Sequence, residues 1–189
     1  MRLPKDQVAR FYNMWMALLT FVNKQRGLLP GREVWDLNHP IKPEDALVVR
    51  DALWSSDELR EEFVAQNPAG LSDEDLLVVT SWRHRVAGNF FILKHLKKHS
   101  IFSGNNRYYA VLGLHSPIEE ITPFTPCLVE AVLLPYEDHI IFDSLLKPMN
   151  ISFGGNMRGR FNQDYQEARK RGDIITSLLA QPSKKVTVT

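Results

Sequence analysis

Apolar side chains recur at helical spacing through the first half of this chain and at strand spacing through much of the second. Val8, Phe11, Tyr12, Trp15, Leu18, Leu19 and Val22 follow in i, i+3, i+4, i+7 order, the stripe of a helix with one buried face. Pro4 suits the start of that helix, Gly27 its stop, and Pro30-Gly31 a turn. A second helix is predicted from Pro43 toward Trp54. Ser55 and Glu58 have the spacing of a capping box and predict a third helix through Phe63. Ser72, followed by three acidic residues, predicts the cap of a fourth, with Leu71 and Leu76 placed as a hydrophobic staple. The aromatic stripe of the first helix reads either as a groove for a partner or as a face packed on the protein's own core. The second is preferred, because every amphipathic helix needs such a stripe.

The period changes near Gly88. Residues 90–102 are ambiguous, whereas 107–114, 127–134 and 139–146 read as strands. The last two flank Pro135-Tyr136-Glu137-Asp138, a hairpin connection. Residues 151–153 extend a strand into Gly154-Gly155. A helix from about Asn156 to Arg171 carries Met157, Phe161, Tyr165 and Ala168 on one face and ends at Gly172. Residues 174–178 read as a short closing strand. Helices first and strands afterwards predict the α+β class, with an N-terminal helical layer packed on a mainly antiparallel β-sheet and one C-terminal helix. The 189 residues read as a single domain over 1–180, helical over about 4–88 and β-rich over about 89–180. The tail 181–189 reads as disordered.

Charge changes this picture more than composition does. The net charge of +1 conceals a segregation: residues 33–75 hold twelve acidic side chains against three basic ones, while residues 76–118 hold six Lys/Arg, four of the six histidines and no acidic residue. Such blocks either face each other within a fold or face a partner outside it. Several acidic residues fall in first helical turns, where they complement the helix dipole; Asp51, Glu61 and Glu62 need solvent or a basic neighbour. The lone Cys127 excludes an internal disulfide and a cysteine-based zinc cluster and suits a reducing cytoplasm. No apolar run approaches the roughly 18 residues of a membrane span. Lys5, Asp6, Arg10 and Asn13 interrupt the plan of a signal peptide. The expectation is a cytoplasmic protein with no membrane attachment.

Four groups of residues are candidates for chemistry. Arg83, Arg85, Lys94, Lys97 and Lys98, interleaved with aromatics, have the composition of a nucleic-acid surface. As one strand, however, 90–102 would split His95, Lys97 and His99 from Lys94 and Lys98, and the acidic helices are an alternative partner for the whole stretch. Gly154-Gly155-Asn156-Met157-Arg158-Gly159-Arg160 joins a strand to a helix start and carries Arg158 and Arg160, which could cradle an anion. It matches neither of the common glycine-rich nucleotide motifs, and Arg160 can pair with Asp164 one helical turn on. Glu130, His139 and Asp143 lie on one face of the predicted hairpin and could hold a divalent metal or act as acid and base. His95 and His99 would offer two zinc ligands if their segment were helical, though Lys94, Lys97 and Lys98 would repel a cation.

The stretch Val129-Glu130-Ala131-Val132-Leu133-Leu134-Pro135-Tyr136, with Ile140-Ile141-Phe142-Asp143 and Ile151-Ser152-Phe153-Gly154-Gly155, resembles a family of uncharacterised bacterial proteins of no known function. The resemblance implies a bacterial-type cytoplasmic protein and no particular chemistry. The sequence as a whole points to a non-enzymatic binding or adaptor protein with a protein partner. A nucleic-acid-binding accessory protein, using the acid-free stretch and the Gly-Gly-Asn-Met-Arg-Gly-Arg segment, is the alternative. A metal-dependent hydrolase on Glu130, His139 and Asp143 comes third. No cofactor and no resident metal are expected.

Overall fold

The computed structural model describes residues 1–31, 34–35, 39, 41–149, 151 and 154–179, with the side chain of Asn156 excepted. The expected tail at 181–189, and Ser152 and Phe153 of the expected strand end, lie outside the described residues. The chain divides into two compact units, Leu3–Arg83 and Met1–Arg2 with His84–Thr189. The division falls a few residues before the change of period at Gly88.

The first unit is helical: α1 (Lys5–Arg26), α2 (Pro43–Trp54), α3 (Glu58–Gln66) and α4 (Asp73–Ser81). The aromatic stripe of α1 is core, since Phe11, Trp15, Leu18, Leu19 and Val22 are buried. Trp15 stacks on Phe11 and on Trp54, and Phe11 and Trp15 both meet Trp82. Gly27 ends α1 at φ +60, its N–H donating to the Asn23 carbonyl, the left-handed stop that glycine adopts without a side-chain penalty. Ser72 caps α4 as its spacing predicts, accepting the Asp75 N–H at 3.2 Å. Ser55 does not cap α3; its hydroxyl donates instead to the Ala52 carbonyl at the end of α2, and Asp57 occupies the cap position.

The acidic block finds cations inside this same unit. Asp75 pairs with Arg10, Asp51 with the buried Arg50, and Asp57 and Glu61 with the buried Arg60. Glu62 accepts from Gln66 one turn on. A buried guanidinium without a carboxylate would be costly, so these pairs give Asp51, Asp57 and Glu61 a local structural role.

The second unit is β-rich. Its strands are β1 (Val86–His95), β2 (Ser100–Gly104), β3 (Arg107–Val111), β4 (Cys127–Tyr136), β5 (His139–Phe142), β6 (Lys147–Met149) and β7 (Ile174–Ile175), with a short α5 (Ile118–Ile121) before β4 and α6 (Gly155–Arg171) before β7. Most pairings are antiparallel, as expected, but the sheet is not an open layer. β1 pairs with β2, β2 with β3, β3 with β5 in parallel through Val111 and Ile140, β5 with β4, and β4 back with β1. Five strands therefore close into a barrel, which removes the exposed edges of the ring.

Closure depends on the length of β1. Val86 to Ile92 pair with β4 along one edge, while Phe91 to His95 pair with β2 along the other. Phe90, Ile92, Phe102, Tyr109, Val129 and Leu133 are buried, and the Phe90 ring meets Phe102 and Tyr109 at 6.1 and 5.9 Å between centroids. The β2–β3 connection is the two-residue turn Asn105-Asn106, both at positive φ, the backbone of a tight hairpin whose twist matches its strands. Outside the ring, Phe91, Leu93, Ile101 and Tyr108 pack with Phe161 and Tyr165 of α6 and with Ile174.

Candidate anion-binding cleft

The site begins with an irregularity in β1. Ile92 stands opposite Phe102 and Lys94 opposite Ile101, so Leu93 is an extra residue in the ladder. Directly opposed residues share a face. The bulge therefore brings Lys94 to the face of Ile101, which is the face under α6, where unbroken alternation would have turned it the other way. Bulges re-aim side chains in this manner.

α6 supplies the other wall. Arg158, Phe161, Asn162 and Tyr165 are spaced at zero, three, four and seven residues and so lie on one side of the helix. Together with Leu93, Lys94, Thr125 and Pro126 they line a cleft of about 250 Å³. The Lys94 ammonium donates to Asn162 Oδ1 at 2.7 Å and lies 5.5 Å from the Tyr165 ring centroid, within reach of a cation–π interaction. An ammonium has three donors, and neither Asn162 nor Tyr165 neutralises its charge. The described lining holds two cations and no carboxylate.

The opposite lip is held from below by His95. Its Nε2 donates to the Thr122 carbonyl at 2.8 Å, and Nδ1 lies 2.8 Å from the buried Ser100 hydroxyl. A carbonyl only accepts, so Nε2 carries the proton. Thr122 is itself buried and donates to the Ile118 carbonyl, which ties the loop before β4 to the end of the barrel. A second cleft of about 380 Å³ continues along α6 on the far side of Tyr165, lined by Leu96, His99, Arg169, Ile174 and Thr176. Burial and the neighbouring Lys98 ammonium hold the His99 pKa below its ordinary value.

The sequence candidates distribute unevenly over this arrangement. Lys94 and Arg158 come from separate motifs and meet in one cleft. Lys97 and Lys98 are exposed on the β1–β2 turn, between Leu96 and His99 of the second cleft. Residues 90–102 are thus a hairpin and not one strand, which removes the expected split between faces. The same hairpin excludes a helical His95/His99 zinc pair. Arg160 lies about 200° around α6 from Arg158 and reaches Asp164 at 4.0 Å, the pairing that its spacing predicts. Arg83 closes the helical unit. Arg85 precedes β1, nine residues before Lys94 and so about 30 Å away along the strand. The glycine segment is helix from Gly155 onward, with Gly154 as its cap at φ −66, so no positive-φ glycine cradle forms there.

Glu130, His139 and Asp143 do not assemble. The hairpin turn is Glu137-Asp138, with Tyr136 opposite His139, which places His139 six residues, about 20 Å, along the strand from Glu130. Glu130 reaches Lys147 of β6 at 3.7 Å. Asp143 is fully buried and its Oδ1 accepts from the Leu145 N–H across Ser144, which lies at φ +74. Among the described residues no group of three or more His, Cys, Asp and Glu is placed to hold a metal ion. Asn162, Tyr165, Thr125 and Pro126 were not among the sequence candidates; the i, i+4 and i+7 spacing from Arg158 was the signal for the first two.

Comparison with protein-family models, with curated proteins and with solved structures finds no match for this chain. Among the described residues no helix is long and apolar enough to cross a membrane.

Proposed function

We propose that this chain is a non-enzymatic binding protein whose barrel unit takes nucleic acid along α6, with Lys94 and Arg158 as its phosphate contacts. The observation that supports this most is the convergence of these two cations, one from a strand and one from a helix, in a cleft with aromatic walls and no carboxylate in its described lining. Phosphates are held by clustered Lys and Arg, and bases stack on aromatic faces. At about 250 Å³ the cleft is smaller than the roughly 300–1,000 Å³ of sites that enclose a small molecule. It therefore suits a segment of a polymer better than a buried cofactor. Charge supports the same reading: the sequence of the barrel unit has fourteen Lys/Arg against nine Asp/Glu, and that of the helical unit nine against thirteen. Burial also pushes the Cys127 thiol pKa up, and a lone cysteine, with no second one to pair with in this sequence, fits a reducing cytoplasm as the setting.

Fluorescence anisotropy with short single strands of DNA and RNA, titrated at rising salt, tests the proposal. The affinity is expected to fall linearly in log salt, with a slope of about −0.7 per phosphate contact. No binding even at low salt would remove the nucleic-acid reading. The adaptor reading has one observation in its favour, Leu77, which stands 69 % exposed on α4 beside Asp73 and Glu74 of its first turn. That acidic face is where a protein partner would then be sought.

A further inference from the structure

Phe124 is 84 % exposed, more than any other large apolar residue described. Exposing a phenyl ring forgoes about 2 kcal/mol of burial, and nothing in the barrel core requires a ring at this position. Its setting is specific. Phe124 immediately precedes Thr125 and Pro126, which form the lip of the Lys94–Arg158 cleft, so its Cα lies about 3.8 Å from that of a lining residue. The loop that carries it is anchored on both sides, at Thr122 by His95 and at Cys127 by pairing with Ile92. A flat, exposed apolar ring is thus carried on a tethered loop, one residue along the chain from the lip of a cleft that holds two cations.

We infer that Phe124 stacks on an unpaired base of a strand whose phosphates lie on Lys94 and Arg158, and that the barrel unit consequently prefers single-stranded over double-stranded nucleic acid. This rests on the nucleic-acid reading above and adds the strandedness of the ligand and the residue that selects it. The cations alone cannot make that choice, because both forms of nucleic acid offer phosphates. A base within a duplex has both faces covered by its neighbours, whereas a base in a single strand has a face free for an aromatic side chain.

The test uses the full chain, fluorescein-labelled single strands of thymidylate or uridylate, and a duplex of equal length. Phe124→Ala is expected to weaken single-strand binding about 5- to 100-fold, leave duplex binding unchanged, and leave the salt slope unchanged because no charge is lost. Phe124→Trp is expected to retain the preference, since the larger ring stacks equally well. The exposed position makes both variants safe for folding, which a thermal melt verifies. Unchanged single-strand affinity in Phe124→Ala, with the parent protein still binding, would overturn the stacking role and leave the phosphate contacts standing. Equal parent affinity for single strand and duplex would overturn the preference. No parent binding to either would overturn the nucleic-acid reading and this inference with it, and binding of a poly-glutamate peptide in their place would redirect the cleft to an acidic protein segment.

Discussion

Alanine at both Lys94 and Arg158 is expected to lower single-strand affinity about 25-fold at about 0.1 M salt. The figure follows from counterion release: two lost contacts at about 0.7 each in the log–log slope amount to a factor of about 25 at that concentration. The same variant should show a salt slope shallower by about 1.4, and this second readout separates a loss of phosphate contacts from a general loss of fit. Lys94 also bonds Asn162 and lies over Tyr165, so its removal loosens the α6 wall slightly. Arg160→Ala serves as the control, because that side chain is engaged with Asp164 on another side of the helix, and its effect should be severalfold smaller. A full salt slope in the double variant would place the phosphates elsewhere, first on Lys97 and Lys98 of the β1–β2 turn.

The largest stability effect is expected at Phe90. Its ring is fully buried and meets Phe102 and Tyr109, and its backbone pairs with Val129 in the β1–β4 ladder that closes the barrel. Gly104 is bare where the ring passes: a Cβ there would lie 2.6 Å from Phe90 Cδ1. The ring therefore fills a space shaped by three strands, and neighbours cannot collapse into it without breaking closure. Phe90→Ala should cost about 3–5 kcal/mol, a large part of the roughly 5–15 kcal/mol that holds a typical domain folded. Urea unfolding should show a lowered midpoint with an unchanged m-value. A loss below about 1 kcal/mol would mean that this ring is not part of a closed barrel interior.

Local signals carried much of the architecture. Pro43 at a helix start, Ser72 before three acidic residues, Gly172 after a run of basic ones, and the alternation on either side of Glu137-Asp138 each act within a few residues of the chain. The structure follows them closely at α2, α4, α6 and the β4–β5 hairpin. The β1–β2 hairpin was hidden for two physical reasons. Its turn, Leu96 to His99, contains no glycine, proline or asparagine, and the extra Leu93 breaks the period of two. Barrel closure is not local at all, since the pairing of Phe90 with Val129 joins segments that no periodicity links.

The site was legible only in pieces. Lys94 and Arg158 stand out as cations in the sequence, but their meeting depends on the bulge and on the helix crossing above it. Glu130 and His139 show the converse: residues that share a strand face can still stand too far apart to act together. The charge segregation resolves in part within the helical unit, where Arg10, Arg50 and Arg60 engage the acidic residues beside them.

Amide NMR of the labelled full chain, titrated with a short single strand of nucleic acid, would locate the strand on the barrel unit. The signals that move should cluster at Lys94, Thr125, Arg158, Asn162 and Tyr165, with smaller shifts at Lys97 and Lys98. Shifts confined to the helical unit, or to Arg107 and Lys147 while the cleft residues stay still, would contradict the placement of the binding site under α6.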